Sequence, residues 1–308
     1  SRMRAALWPA RLAQATGLFA ATKLLLRWVP ALAPERLRQL IAMLPRLERA
    51  QPPLPEFLPA KGVRRARVAL FLGCVGDAVF RGTHWATARV LQENGCDVVV
   101  PRGQACCGAI HFHAGASEPA MKLADDNVAA FHLDDVDAIV ANVAGCGAML
   151  KEYGRHWDDS GQPQRAALAA KVKDVSEFLD GLGLVPPPGE IPTTAAYHDA
   201  CHLVHAQKVS QPPRNLLRQV PGLKLVDLAE SELCCGAAGT YNLTQPEMSQ
   251  RLARRKLERL KATGARLCVT ANAGCLLQIM REASQQGYPL KVVHPMDVLD
   301  ASYRGAEL

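Results

Sequence analysis

Short apolar runs alternate with longer segments of helical periodicity along the chain from residue 67 onward. The apolar runs have the length and composition of buried strands. They lie at 68–72, 97–100, 138–141, 195–198, 223–226, 267–270 and 291–293. Helical spacing of apolar residues is clearest at 83–94, 118–131 and 246–261. This alternation predicts an α/β fold built on parallel strands.

The pattern of the first half recurs in the second half. A segment rich in proline and glycine, residues 183–189, separates the two halves. We therefore predict two pseudo-symmetric parallel-sheet repeats, residues 61–188 and 189–308, with ligand-bearing loops at the carboxyl ends of their strands.

Residues 1–60 form a different kind of segment. Up to about residue 50 they are rich in Ala, Leu and Arg and predict a helical arm, which Pro30 and Pro34 interrupt, with a new helix starting at Pro34. A stiff proline linker follows at 51–55. We expect the arm to pack on the repeats. The alternative is docking to a partner or to the inner face of a membrane as a peripheral protein.

Composition narrows the classes of function. Hydrophobic residues make up 49% of the 308 residues, enough for a sizeable core, and the formal net charge is +7. Because the basic residues are mixed with acidic ones and lack interleaved aromatic residues, we expect no nucleic-acid partner. No apolar run approaches the ~20 residues of a membrane span, and no secretion signal is visible. Ten cysteines without such a signal favour a reducing compartment, so we expect a cytoplasmic location.

Eight of the ten cysteines form a duplicated frame. Each copy has a single cysteine, then Cys-Cys-Gly, then another single cysteine, and the copies are 127 to 129 residues apart. The two copies consist of Cys74, Cys106, Cys107 and Cys146, and of Cys201, Cys234, Cys235 and Cys275. Each cysteine position falls just past a predicted strand, where ligand sites of parallel sheets form. We expect each copy to gather four sulfurs at one edge of its sheet.

Three kinds of chemistry are compatible with four gathered thiols. Iron–sulfur cluster binding suits a soft thiolate set. Structural zinc is the second, although zinc usually takes closer spacings such as C-x2-C. A catalytic dithiol is the third, although it leaves Cys74 and Cys146 without a role. Cys96 and Cys268 lie outside the frame, and we expect both to be buried core residues.

The duplicated frame resembles the cysteine-rich domain of the heterodisulfide reductase family. That family includes iron–sulfur subunits of glycolate oxidase, anaerobic glycerol-3-phosphate dehydrogenase and lactate utilisation complexes. Flanking stretches are similar to the glycolate oxidase members, and the resemblance covers about residues 68–298. These stretches read AGCGA at 144–148, KEYG at 151–154, HAQK at 205–208, CCGAAGTY at 234–241 and VTANAGC at 269–275.

The resemblance implies an iron–sulfur electron-transfer subunit of a flavin-dependent glycolate (2-hydroxy acid) oxidase or dehydrogenase complex. Electrons would pass from FAD in a partner flavin subunit, through this chain, to a quinone or another acceptor. The four cysteines of each copy would hold at most one cluster, of the 4Fe-4S type. The alternatives are a zinc-bound or metal-free docking module for flavin subunits, and a thiol–disulfide enzyme resembling heterodisulfide reductases.

Two departures from the family pattern bear on the clusters. The fullest family motif ends in C-x2-C and supplies a fifth cysteine, whereas this chain has Val143 and Asn272 there. Four thiols per copy suit an ordinary four-ligand cluster or an altered one. Complete glycolate oxidase iron–sulfur subunits also carry a ferredoxin-like part with two C-x2-C-x2-C-x3-C-P runs. Because this sequence has no such run, it resembles the C-terminal part of such a subunit.

Histidines close to the cysteines are further candidates. His198 and His202 flank Cys201, and we expect hydrogen bonds to cluster sulfurs, with direct ligation as the alternative. His111 and His113 are expected on a loop surface, with the cluster edge as the alternative. The glycines that follow the two Cys-Cys pairs are expected to allow a tight backbone turn. No phosphate loop or dinucleotide fingerprint is present, so we expect no flavin or nicotinamide site on this chain.

Overall fold

The computed structural model describes residues 2–29, 33–34, 41, 47 and 51–308. Within them the chain forms two sheets of mostly parallel strands flanked by helices, which confirms the predicted α/β class. The strands are β1 (Phe57–Leu58), β2 (Ala66–Phe71), β3 (Cys96–Val99), β4 (Ala138–Ala141), β5 (Val172–Asp174), β6 (Thr193–Tyr197), β7 (Leu223–Val226), β8 (Leu267–Val269) and β9 (Lys291–Val293).

The helices fill the connections between strands and form the N-terminal arm. They are α1 (Arg2–Ala15), α2 (Leu18–Trp28), α3 (Val75–Val79), α4 (Arg81–Glu93), α5 (Ala109–His113), α6 (Ser117–Ala130), α7 (Ala144–Lys151), α8 (Tyr153–His156), α9 (Gln162–Lys171), α10 (Val175–Leu182), α11 (Pro212–Arg218), α12 (Tyr241–Thr244), α13 (Pro246–Ala262), α14 (Ala273–Gln285) and α15 (Pro295–Arg304). A 3-10 turn at Leu133–Asp135 and a π-helical turn at His202–Ala206 complete them.

The two sheets share one topology. The first has the strand order β1-β3-β2-β4-β5 and the second β7-β6-β8-β9. Strand β1 pairs antiparallel with β3, and the other pairs are parallel. In each sheet the chain passes from a central strand (β2 or β6) to its neighbour on one side (β3 or β7). It then crosses over to the neighbour on the other side (β4 or β8). This reversal creates a crevice between β2 and β4 and between β6 and β8, and such crevices bind ligands in α/β proteins.

Predicted strands and helices agree with the structure to within two residues, but β1, β5 and several helices, among them α5, α9, α10 and α11, were not predicted. Strand β5 has only three residues, of which the middle one is exposed, so it gives no continuous apolar run. The helix predicted to start at Pro34 and the break at Pro30 lie outside the described residues. The repeat boundaries at 61–188 and 189–308 stay a prediction.

One hydrophobic core extends through both repeats. The last helix of the second repeat, α15, packs on α4 of the first, where Arg89 Nε donates to Asp300 Oδ1 at 2.6 Å. In the reciprocal position, α10 of the first repeat packs on α11 of the second, and Asn215 Nδ2 donates to Asp180 Oδ2 at 3.1 Å. Each repeat therefore covers part of the other.

The N-terminal arm contacts the repeats at α3. Helix α1 packs there, and Arg11 Nη2 donates to the carbonyl oxygen of Ala78 at 2.8 Å. Trp8 and Trp28 are 63% and 77% exposed, so the arm also presents apolar surface to its surroundings. Among the helices that the structure describes, none is long and apolar enough to cross a bilayer.

Candidate metal centre

The first four cysteines come together beyond the carboxyl ends of three strands. Cys74 follows β2 and caps α3, while Cys106 and Cys107 lie in the loop after β3. Cys146 follows β4 as the third residue of α7. Cys74 Sγ is 3.3 Å from Cys106 Sγ, and Cys107 Sγ is 3.4 Å from Cys146 Sγ. The four sulfurs thus form two close pairs.

The second four cysteines repeat this arrangement. Cys201 follows β6, Cys234 and Cys235 lie in the loop after β7, and Cys275 is the third residue of α14. Cys201 hydrogen-bonds with Cys234, and Cys235 hydrogen-bonds with Cys275, as in the first set. Cys235 and Cys275 are buried, and Cys201 and Cys234 are half-buried. The first set has one buried thiol, Cys107, and three half-buried ones, so it is less buried than the second set.

All eight cysteines line one cavity of about 280 Å³. The loops before α7 and α14 are joined across the repeats at this point. The Ala144 amide donates to the Ala271 carbonyl oxygen at 3.0 Å, and the Gly145 amide donates to Asn272 Oδ1 at 3.2 Å. The two sets of thiols therefore face one another across a shared space, which the sequence did not predict.

Glycine is required after each Cys-Cys pair because the backbone turns left-handed there. Gly108 has φ of 82° and Gly236 has φ of 89°. A β-carbon at Gly108 would lie 3.2 Å from the carbonyl oxygen of Ala120, and one at Gly236 would lie 2.4 Å from that of Ser249. The predicted tight turn is confirmed, and it brings the first Cys-Cys loop against α6 and the second against α13.

Buried side chains from the neighbouring helices hold the first Cys-Cys loop. Asn127 Nδ2 donates to the carbonyl oxygen of Cys106 at 3.1 Å, and Tyr153 Oη donates to that of Cys107 at 2.9 Å. Both side chains are fully buried. Sequence reasoning missed these two residues because a single polar residue on an apolar helix face carries no spacing signal.

The first cysteine of each pair is the more acidic thiol. Hydrogen bonds with Cys107 and Cys74 lower the pKa of Cys106, and hydrogen bonds with Cys201 and Cys235 lower the pKa of Cys234. The Gly236 amide also donates to Cys234 Sγ at 3.3 Å. The first cysteine of each pair therefore favours the thiolate, which is the form that binds a metal.

The second set has more polar surroundings than the first. A hydrogen bond with Cys235 and interactions with His198 and Asn272 lower the pKa of Cys275, and Asn272 Nδ2 lies 3.5 Å from its sulfur. The buried Lys256 stands behind the set, and its Nζ donates to the carbonyl oxygen of Ser231 at 3.1 Å.

The corresponding residues of the first repeat are neutral. Val143 stands three residues before Cys146, where Asn272 precedes Cys275, and Asn127 stands where the second repeat has Lys256. The two sets therefore have the same thiols in different electrostatic environments.

The predicted histidines occupy different places. His202 Nδ1 lies 3.4 Å from Cys201 Sγ, within hydrogen-bond distance. His113 lines the cavity from helix α5, and His111 is exposed on the same helix, so the prediction of a loop for both was wrong. His198 is fully buried, and its ligand atom lies within 4.8 Å of those of Cys235 and Cys275. Arg281, which the sequence did not single out, also lines the cavity.

The donor set fits an iron–sulfur cluster. Soft thiolates, partial burial and N–H groups that donate to sulfur are the features that stabilise such clusters and tune their potential. The N-terminus of α14 brings its partial positive charge to Cys275, which favours the thiolate form. Cys96 and Cys268 are 0% exposed and away from the cavity lining, so their prediction as core residues is confirmed.

Comparison with known proteins agrees with this geometry. The chain is similar to the "Probable glycolate oxidase iron-sulfur subunit" of Bacillus subtilis strain 168, with 40% identity over 97% of this chain and 69% of that protein. It is also similar to "Lactate utilization protein A" of Shouchella clausii (34% identity, 76% of this chain, 98% of that protein) and of an Exiguobacterium species (32%, 78% and 99%). A family profile described as "CCG: Cysteine-rich domain" matches residues 68–151 and 195–280. The resemblance inferred from the cysteine frame is confirmed, and the chain belongs to the CCG cysteine-rich domain family.

Proposed function

We propose that this chain is the iron–sulfur electron-transfer subunit of a flavin-dependent complex that oxidises glycolate or another 2-hydroxy acid. The observation that carries the proposal is the pair of four-thiol sets around one cavity. The names of the similar proteins support it, since they refer to an iron–sulfur subunit of glycolate oxidase and to lactate utilization. The hydroxy acid would be oxidised at FAD in a partner subunit, and a quinone or another carrier would accept the electrons.

Each set of four cysteines would hold one cluster, of the 4Fe-4S type that four thiolates suit. The ligands would be Cys74, Cys106, Cys107 and Cys146 in one repeat, and Cys201, Cys234, Cys235 and Cys275 in the other. A bound cluster supplies reversible one-electron transfer. The chain supplies the thiolates and the N–H donors to sulfur, and its two sets share one cavity, which makes their occupants neighbours.

We place the complex in the cytoplasm, at the inner face of the membrane, with the N-terminal arm as the surface that meets the partner subunits or the lipid. The exposed Trp8 and Trp28 on the arm support this assignment, because aromatic residues are enriched where proteins meet partners and membrane surfaces. Arg11 joins the arm to the first repeat through its hydrogen bond to the Ala78 carbonyl oxygen.

A thiol–disulfide enzyme is the second candidate. The short distances between Cys74 and Cys106, and between Cys107 and Cys146, favour it, because each remote cysteine has a thiol partner. In the folded chain Cys74 and Cys146 would therefore each have a role in this chemistry, contrary to the expectation from the sequence. Reversible disulfides at these pairs would leave the chain colourless and free of iron.

Iron and acid-labile sulfide per chain, measured after anaerobic purification together with an EPR spectrum of the reduced protein, distinguish the candidates. About four to eight iron atoms with matching sulfide are expected for one or two clusters. Cys107→Ser and Cys235→Ser then assign the signals to the first and second set. A chain that takes up no iron, or only zinc, would contradict the electron-transfer role and leave thiol chemistry or docking.

A further inference from the structure

His198 is a buried polar residue, and one of its two ring nitrogens already makes a hydrogen bond. It is 0% exposed and directly follows β6. Its Nδ1 lies 2.9 Å from the carbonyl oxygen of Ser231. Because a carbonyl oxygen can only accept a hydrogen bond, Nδ1 carries the proton, and in the neutral ring Nε2 keeps a free lone pair.

His198 lies beside the second set of thiols. Among the described residues, Nε2 has no partner in hydrogen-bond geometry, although it is fully buried. The ligand atoms of His198, Cys235 and Cys275 all lie within 4.8 Å of one another. Ligands held about 2.0–2.3 Å from one tetrahedral metal ion are about 4 Å apart, so adjustments of roughly 1 Å suffice. Histidines that bind metals usually give their other N–H to a carbonyl or carboxylate, as His198 does.

The first repeat has a phenyl ring at the same place. Phe71 precedes Cys74 by three residues, as His198 precedes Cys201. A β-carbon on Gly73 would lie 3.3 Å from Phe71 Cε1 and 3.4 Å from Cys146 Sγ, so this ring stands beside the last thiol of its set. His198 stands beside the last thiol of the second set in the same way. At this position the second set therefore has an imidazole where the first set has a benzene ring.

We propose that His198 is an iron ligand of the second site, coordinating through Nε2 beside the four cysteines, and that the first site has no such ligand. The proposal rests on the proposed function, because it takes an iron–sulfur cluster as the metal group. It gives the second site a fifth, neutral donor in addition to its four thiolates, whereas the first site has four thiolates alone.

Nitrogen hyperfine coupling tests the ligand directly. Protein labelled with ¹⁵N only in histidine is prepared anaerobically in a Cys107→Ser background, so that the second site is the source of the EPR signal. A ¹⁵N coupling of the size given by a directly bound nitrogen is expected, and it should disappear in His198→Phe, which copies the first repeat. His205→Phe, which removes an exposed histidine close in sequence, should keep the coupling.

The possible results separate the two proposals. Iron-loaded protein without this coupling, or with a coupling that survives His198→Phe, overturns the histidine ligand and leaves the electron-transfer role intact. Protein without iron in any background overturns the electron-transfer role itself. If His198→Phe fails to fold, His198→Cys decides the point, because it restores a ligand and should bind iron without ¹⁵N coupling. Retention of the coupling in His198→Cys would equally overturn the assignment.

Discussion

Replacing Gly236 by alanine is expected to destabilise the fold more than replacing Gly239 in the same loop. Gly236 has φ of +89°, and a β-carbon there would lie 2.4 Å from the backbone oxygen of Ser249 and 3.1 Å from its carbonyl carbon. Gly239 has φ of +52°, and a β-carbon there would meet nothing within 4 Å. Both alanines adopt an unfavourable left-handed backbone, but only the one at 236 collides with another part of the chain.

The two effects can be separated in magnitude. A left-handed backbone costs an L-residue about 1–2 kcal/mol, and overpacking a filled site adds about 1–3 kcal/mol. We therefore expect a loss of about 1–2 kcal/mol for Gly239→Ala and about 2–5 kcal/mol for Gly236→Ala. Because the collision is with backbone, it can be relieved only by moving α13 or the Cys-Cys loop. Moving the loop breaks the bond from Ser249 Oγ to the Gly236 carbonyl oxygen, which is 2.8 Å long, and displaces Cys234 and Cys235.

Urea unfolding of the metal-free protein, followed by far-UV circular dichroism, measures this difference. The midpoint of Gly236→Ala should lie below that of Gly239→Ala, which should lie slightly below that of the unmodified chain. After anaerobic reconstitution, Gly236→Ala should also retain less iron than Gly239→Ala. Equal free energies of unfolding for the two variants would refute the argument that the contact with Ser249 requires glycine.

Three further predictions concern the thiols, a buried cation and a buried histidine. Cys107→Ser and Cys235→Ser should each lose about half of the iron, whereas Cys268→Ala, buried outside the frame, should keep all of it in the same iron assay. Lys256→Asn should shift the potential of the second site to more negative values, because a buried positive charge stabilises the reduced state; an unchanged redox titration would contradict this. Burial lowers the pKa of His294 to about 3, so as the pH falls from 7 to 5 the unfolded state takes up a proton that the folded state does not. Between pH 7 and pH 5 the free energy of unfolding of the unmodified chain should therefore fall by about 2 kcal/mol more than that of His294→Asn, in which the asparagine can still cap α15. Equal losses for the two proteins in urea titrations would argue against a buried neutral ring.

Much of the fold can be predicted from the sequence because buried parallel strands are continuous apolar runs. The run at 138–141 coincides with β4, since this strand is covered on both faces. Strand β5 escapes prediction because three residues with an exposed Lys173 in the middle do not form such a run. The short helix α5 escapes it for a similar reason, since one turn between two loops has no periodicity to detect.

The candidate site could be predicted in part. The thiols were visible because the same spacing occurs twice, which chance does not produce. Their shared cavity was not visible, because it depends on the packing of α15 on α4, two helices distant in the chain whose contact no local pattern encodes. The polar surroundings of Cys275 could not be predicted either, because the positions of Asn272 and Lys256 around the second set are defined only in the folded chain.

The exchange of helices between the repeats, with α15 on α4 and α10 on α11, is the packing of a two-fold symmetric dimer. A chain of one repeat, paired with a second copy of itself, would bury the same helices and present both groups of thiols to one cavity. Every position in such a dimer is encoded once, so Phe71 and His198 would have to be the same residue. Joining the two copies in one polypeptide removes that constraint. Two metal sites with different properties are thus possible in the fused chain and impossible in a dimer of identical single repeats.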